Sequence, residues 1–193
     1  KYCKGSGCTP SILLISQYRL AYTTDQNTII RYQTWDNANN PSAIGSYNVK
    51  LDKTKPASSD DFTNDGVWVN TDQTIMVVPY DQAPSSGIEY TRYCIDITNI
   101  CTPNINYNNP VIQSSEGIYY LRYNSKDNAG NIQDVASMTI KLDKTRPTTA
   151  DDAPMGWKNS DVTISLTPND ALSGVADTLY CTDQTDTCTP TTS

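Results

Sequence analysis

Val49-Lys50-Leu51-Asp52-Lys53-Thr54-Lys55-Pro56 returns 91 positions later as Ile140-Lys141-Leu142-Asp143-Lys144-Thr145-Arg146-Pro147. At the same offset, Asp36-Asn37-Ala38-Asn39-Asn40 returns as Asp127-Asn128-Ala129-Gly130-Asn131. A third mark, Tyr-Cys followed shortly by Cys-Thr-Pro, occurs at Cys3/Cys8, Cys94/Cys101 and Cys181/Cys188. Self-similarity at a fixed period is the signature of a tandem array, here with a unit of roughly 90 residues. Three segments follow. Residues 1–56 form the C-terminal part of one repeat, 57–147 a complete repeat, and 148–193 the N-terminal part of a third.

The pattern inside the unit is that of strands. Tyr119, Leu121, Tyr123 and Ser125 alternate onto one face of the stretch 117–127, and Thr28, Ile30, Tyr32 and Thr34 occupy that face in the first copy. The stretches 46–51 and 135–142 read as the following strand. Thr74–Tyr80 and Val162–Thr167 read as a matched earlier strand, and Ile88–Cys94 and Val175–Cys181 as another. No stretch keeps helical periodicity over three turns, and Pro, Gly, Asn and Asp punctuate the chain every 8–12 residues or so. The expectation is an all-β chain of tandem immunoglobulin-like β-sandwich repeats, about seven strands each. The 13 Tyr against one Phe suit a thin sandwich, where a ring packs inside and its hydroxyl reaches the rim.

Composition narrows the function. Net charge is −7, with 14 basic residues scattered singly. Phosphate backbones are bound by clustered Lys and Arg, so nucleic acid is not expected as a partner. The apolar run Ile12–Ile15 is far short of a membrane span. All six Cys fall in close pairs and the chain has no His, which argues against structural zinc and for three local disulfides, Cys3–Cys8, Cys94–Cys101 and Cys181–Cys188. Such short loops contribute about 2–3 kcal/mol each and place the chain in an oxidising, extracellular or cell-surface setting. Without His there is no Ser-His or Cys-His pair. The prominent acids recur with the repeat, as architectural residues do, so an enzyme is not expected.

Those acids are the sharper signal. Each unit offers Asp36 or Asp127 at a strand end, Asn40 or Asn131 four residues on, Asp52 or Asp143 in the linker, Asp60-Asp61 or Asp151-Asp152 after it, and Asp81 or Asp170 ahead of a Ser-Gly turn. Calcium takes six to eight hard oxygen ligands, and acids at a junction could supply them from both sides. Asp-Asn-Ala-Gly-Asn is also a plain β-turn, with Asn39 standing where the second copy has Gly130. Both readings stay open. Trp68 and Trp157 keep step with the repeat and are expected to pack. Trp35, beside the turn Asp, is the candidate for an exposed ligand-binding ring. No Asn-x-Ser/Thr acceptor is present. The Pro-containing linkers read as extended and stiff.

Strand-Asp-x-Ala-Gly-Asn, then strand, then Asp-x-Thr-x-Pro resembles the tandem immunoglobulin-like repeats of large bacterial and archaeal cell-surface proteins and adhesins. The Ser-Gly-Val turn and the cysteine clasp look most like archaeal versions. The resemblance implies calcium bound by the turn and linker acids, which here are Asp36, Asp52, Asp127 and Asp143. It also implies a structural role as stalk, fibre or adhesin segment, with neighbouring repeats or copies of the same chain as partners. The alternative is a module of a larger secreted protein that binds carbohydrate or another ligand. The chain opens and closes inside units, which fits either a window cut from a longer array or, since the two partial units together exceed one unit by about the length of a clasp, ends that complete one another between chains and build a filament.

Overall fold

The computed structural model describes residues 2–10 and 20–192; the run Ile12–Ile15 lies outside the described residues. The fold is all-β, with no helix among the described residues. The first copy supplies β1 (Tyr2–Lys4), β2 (Gln26–Tyr32) and β3 (Gly45–Leu51). The middle copy supplies β4 (Ala57–Asp60), β5 (Trp68–Val69), β6 (Gln73–Ile75), β7 (Val77–Tyr80), β8 (Ile88–Asp96), β9 (Ile105–Asn106), β10 (Val111–Gln113), β11 (Gly117–Asp127) and β12 (Ala136–Leu142). The third supplies β13 (Thr148–Asp151) and β14 (Leu166–Asn169).

The chain divides into two compact units. One holds Lys1–Phe62, Ile75–Val111 and Tyr120–Met138; the other holds Thr63–Thr74, Ile112–Tyr119 and Thr139–Ser193. In the first, β1-β2-β3 is an antiparallel sheet, β4 pairs antiparallel with β7, and β8 lies between β9 and β11. Alternation decides which faces are buried: Leu121, Tyr123, Ser125 and Asp127 point inward along β11, while the residues between them stay half-exposed. In the second unit, Trp68 and Val69 of β5 pair parallel with Lys141 and Leu142, and β13 pairs antiparallel with β14. Ile140 and Leu142 are fully buried there, whereas β13 and β14 are exposed along their whole length.

The repeat is structural as well as textual. Tyr2 and Cys3 of β1 face Tyr32 and Arg31 of β2. Tyr93 and Cys94 of β8 face Tyr123 and Arg122 of β11, in the same register. Both arginines then cap the adjoining cysteine loop, Arg31 Nη1 donating to Cys8 O at 2.6 Å and Arg122 Nη1 to Asn99 O at 2.9 Å. The turns match too. Asn39 adopts φ 67°, the left-handed region that Gly130 occupies with φ 99°.

Three strand expectations are corrected. Thr74–Tyr80 is not continuous: it breaks at Met76, so that β6 pairs with β10 and β7 with β4. Asp61 fixes the break, its Oδ1 accepting from Met76 N at 2.8 Å while its own N–H donates to Met76 O at 3.2 Å. The strand expected over Val162–Thr167 lies further along the chain, at Leu166–Asn169. Val175–Cys181 forms no strand; Tyr180 makes only an isolated bridge to Thr192. The matching β8 is held by β9 and β11, and a segment without ladder partners has nothing to repay the cost of extending it.

Candidate metal centre

Three strands end at an aspartate. Asp52 follows β3, Asp81 follows β7, and Asp127 is the last residue of β11. One carboxylate oxygen from each lies within 4.8 Å of the others. Asp127 is completely buried and the other two are half-buried.

Local hydrogen bonds aim these groups. Asp52 accepts from Thr54 N through Oδ1 at 3.2 Å and from Ser86 N through Oδ2 at 2.6 Å. Asp81 Oδ2 accepts from Gly87 N at 2.9 Å. Asp127 accepts from Asn131, backbone N to Oδ1 at 2.8 Å and Nδ2 to Oδ2 at 2.7 Å. Asn131 Nδ2 also reaches Asp52 O at 3.1 Å, tying the turn to the linker. Gly87 matters because its φ of +81° belongs to a region that side chains rarely adopt. A shift of register between Lys126 and Asp127 in the β8–β11 ladder sets Asp127 opposite Ile88. Next to it, Asn128 N donates to Gly87 O at 2.9 Å.

The electrostatics are unbalanced. Burial pushes the Asp81 carboxyl above the usual range against the Gly87 hydrogen bond, and the charges of Asp52 and Asp127 push it further. Its Oδ1 is buried and has no hydrogen-bond partner. The lysine after Asp52 does not compensate, since Lys53 Nζ donates to Thr23 O at 2.9 Å. Five of the six carboxylate oxygens accept one N–H each, which leaves a lone pair free on every one; the sixth is Asp81 Oδ1. An all-oxygen, trianionic set of this kind suits a hard divalent cation and not a soft metal.

The four acids singled out from sequence separate. Asp52 and Asp127 come together, joined by Asp81, which the sequence offered among the recurring acids that could ligate calcium but which the resemblance did not single out. Asp36 sits elsewhere in its own turn, accepting from Asn40 Nδ2, Asn40 N and Ala38 N, and these bonds hold it below the usual carboxylate range. Asp143 repeats Asp52: its Oδ2 accepts from Ser173 N at 2.9 Å, and Ser173 holds it low. Asp170 repeats Asp81, accepting from Gly174 N at 2.8 Å. Asp60 and Asp61 are used elsewhere, Asp60 Oδ2 accepting from Tyr123 OH at 2.6 Å and Asp61 at the strand break.

The cysteines pair locally as Cys3–Cys8, Cys94–Cys101 and Cys181–Cys188. Two of these clasps contain an acid that the sequence reading passed over. Asp96 accepts from Thr98 Oγ1 and from the N–H groups of Asn99, Ile100 and Cys101. Asp183 accepts from Thr185 Oγ1 and from the N–H groups of Asp186, Thr187 and Cys188. The backbone of Thr187 leads in bringing Asp183 down to about 2. The shared Cys-x-Asp-x-Thr-x-x-Cys spacing was the available signal. Among the tryptophans, Trp35 bridges to Pro41 and is part-exposed. Trp68 is half-buried, with Lys141 Nζ 6.0 Å from its ring centre. Trp157 does not pack as expected and is fully exposed.

No protein-family model, curated protein or solved structure matches this chain.

Proposed function

We propose that the chain is a non-enzymatic, extracellular structural segment, a stalk, fibre or adhesin piece of immunoglobulin-like sandwich repeats whose junctions are tied by calcium. One observation carries the reading. The linker of one repeat delivers Asp52 to Asp81 and Asp127 of the next, and their buried charge includes one oxygen with no donor. Calcium would be held by these three carboxylates and would neutralise a cluster that otherwise repels itself. The linkers support a stiff joint. Lys53 N donates to Asp25 Oδ1 at 2.7 Å and Thr54 Oγ1 donates to Asp25 Oδ2; at the second linker Lys144 N donates to Glu116 Oε1 at 2.6 Å and Thr145 Oγ1 to Oε2 at 2.9 Å. Three disulfides agree with an oxidising compartment. No helix among the described residues is long and apolar enough to cross a membrane.

The test is tryptic cleavage at Lys53–Thr54 together with the melting temperature, with calcium and with chelator. Calcium should slow the cut and raise the melt, and Asp81→Asn should abolish both effects. If neither the melt nor the cut responds to calcium in the unaltered chain, the tied-joint reading fails.

A further inference from the structure

The outward face of β8, β9 and β11 carries residues that the repeat does not reproduce. Leu121, Tyr123 and Ser125 of β11 point inward, so Asn124 and Lys126, with Arg92 and Tyr90 opposite them on β8, point the other way. Asn106 of β9 lies beside Arg92. Turn, clasp and linker recur between copies, but these positions do not. Tyr90 and Arg92 stand four and two residues before Cys94, where Asp177 and Leu179 stand before Cys181; Lys126 precedes the turn Asp127 as Trp35 precedes Asp36. Residues that serve the fold recur with it, so a set that does not recur points to a task of the middle copy alone.

The set is ordered and short of one anion. Arg92 Cζ lies 4.1 Å from the centre of the Tyr90 ring and Lys126 Nζ 5.7 Å from it, contacts that hold both cations against the ring electrons. Arg92 Nε donates to Asn106 Oδ1 at 3.1 Å. Glu89 answers Lys126 at 2.8 Å. Among the described residues no carboxylate answers Arg92, its Nη1 and Nη2 donate to nothing, and the Asn124 amide and Asn106 Nδ2 make no hydrogen bond. The Arg92 charge also works against that of Lys126.

We propose that this face binds an acidic glycan through a uronate residue. The open edge of the Arg92 guanidinium takes the carboxylate, whose two oxygens match its fork, and Lys126 adds a second positive charge. Tyr90 supplies an apolar wall for the C–H face of the sugar, and the amides of Asn106 and Asn124 offer donors and acceptors to its hydroxyls. The net charge of −7 repels a dense polyanion away from this face. A polymer with one carboxylate per sugar therefore fits better than a heavily sulfated one. The reading is independent of the calcium centre.

Titration calorimetry in chelator tests this, with the trisaccharides of galacturonate, mannuronate and guluronate as probes. At least one should bind saturably and weaken as salt is added. The neutral trisaccharide galactotriose and the acidic peptide triglutamate should not bind. Asn106→Asp alters an exposed position and hands Arg92 a carboxylate of its own, so it should fold and abolish binding. Arg92→Lys keeps the charge but loses the fork and should weaken binding about tenfold. Lys158→Gln, which removes a cation elsewhere, should change nothing. No response to any uronate, equal binding of triglutamate, or full binding by Asn106→Asp with an unchanged melting temperature would overturn the proposal. The calcium response of the Asp52–Asp81–Asp127 centre should be the same in Asn106→Asp as in the unaltered chain, so failure of one reading is distinguishable from failure of the other.

Discussion

The middle repeat and the third copy share motifs, spacing and clasp, yet only the middle repeat has a core. Where Ile75 is sealed, Ile164 is in water; where Pro56 is buried, Pro147 is exposed. The local devices are nevertheless the same in both. Asp152 Oδ1 accepts from Ser165 N as Asp61 Oδ1 does from Met76 N, and Asp183 organises its clasp as Asp96 does. Turns, caps and clasps are therefore written into short stretches of chain and form without a core. Burial needs the second half of the repeat.

The sharpest way to break this comparison is a matched pair of truncations. Ile75→Ala should destabilise the middle repeat by about 2–5 kcal/mol, through lost transfer energy and the cavity left behind. Ile164→Ala in dilute, dispersed chain should change stability by no more than about 0.5 kcal/mol, as exposed positions do. Denaturant melts would measure both. Equal costs would mean that the third copy is packed in solution.

A smaller effect is expected at the tyrosines. The Tyr123 hydroxyl donates to Asp60 from a buried ring, and burial, followed by that carboxylate, raises its pKa well above the usual phenol value. Tyr123→Phe should therefore cost about 1–3 kcal/mol by leaving Asp60 Oδ2 without its donor, while Oδ1 keeps the Phe62 N–H. Tyr32→Phe should cost nothing measurable in the dispersed chain.

These differences mark what the sequence could reveal. Alternation at 117–127 disclosed the buried face of β11, and the doubled Asp-Asn-Ala-x-Asn phrase disclosed its turn, because both depend on neighbours in sequence. The pairing of Asp52 and Asp127 with Asp81 was not legible, since their proximity is created by three strand ends distant in the chain. The phrase Val175–Cys181 is nearly as strand-like as Ile88–Cys94, yet only the latter gains partners. Propensity alone could not separate them. Trp157 misled for the same reason. Trp68 is half-buried beside Lys141 on β12, and the third copy contains no equivalent of that strand among its residues.

Asp81 offers the finest discrimination, because the expected sign reverses with metal. Its pKa is raised in the folded protein, by burial first and then by Asp52 and Asp127. Between the ordinary carboxylate range and that higher value, the native state binds more protons than the unfolded chain. Metal-free stability from this group therefore increases as pH falls through the raised pKa and is lost as pH rises through it. In chelator at neutral pH, Asp81→Asn should raise the melting temperature and flatten this part of the pH profile, since it removes a buried charge that has like charges beside it. In calcium the same substitution should lower the melting temperature relative to the unaltered chain. Asp170→Asn should show neither reversal in dilute chain, where Asp143 is held low by Ser173 and no third acid is present among the described residues around it. Calorimetric melts of both variants, with and without calcium, would decide it: a destabilising Asp81→Asn in both conditions would make that carboxylate a structural acceptor for Gly87 and nothing more.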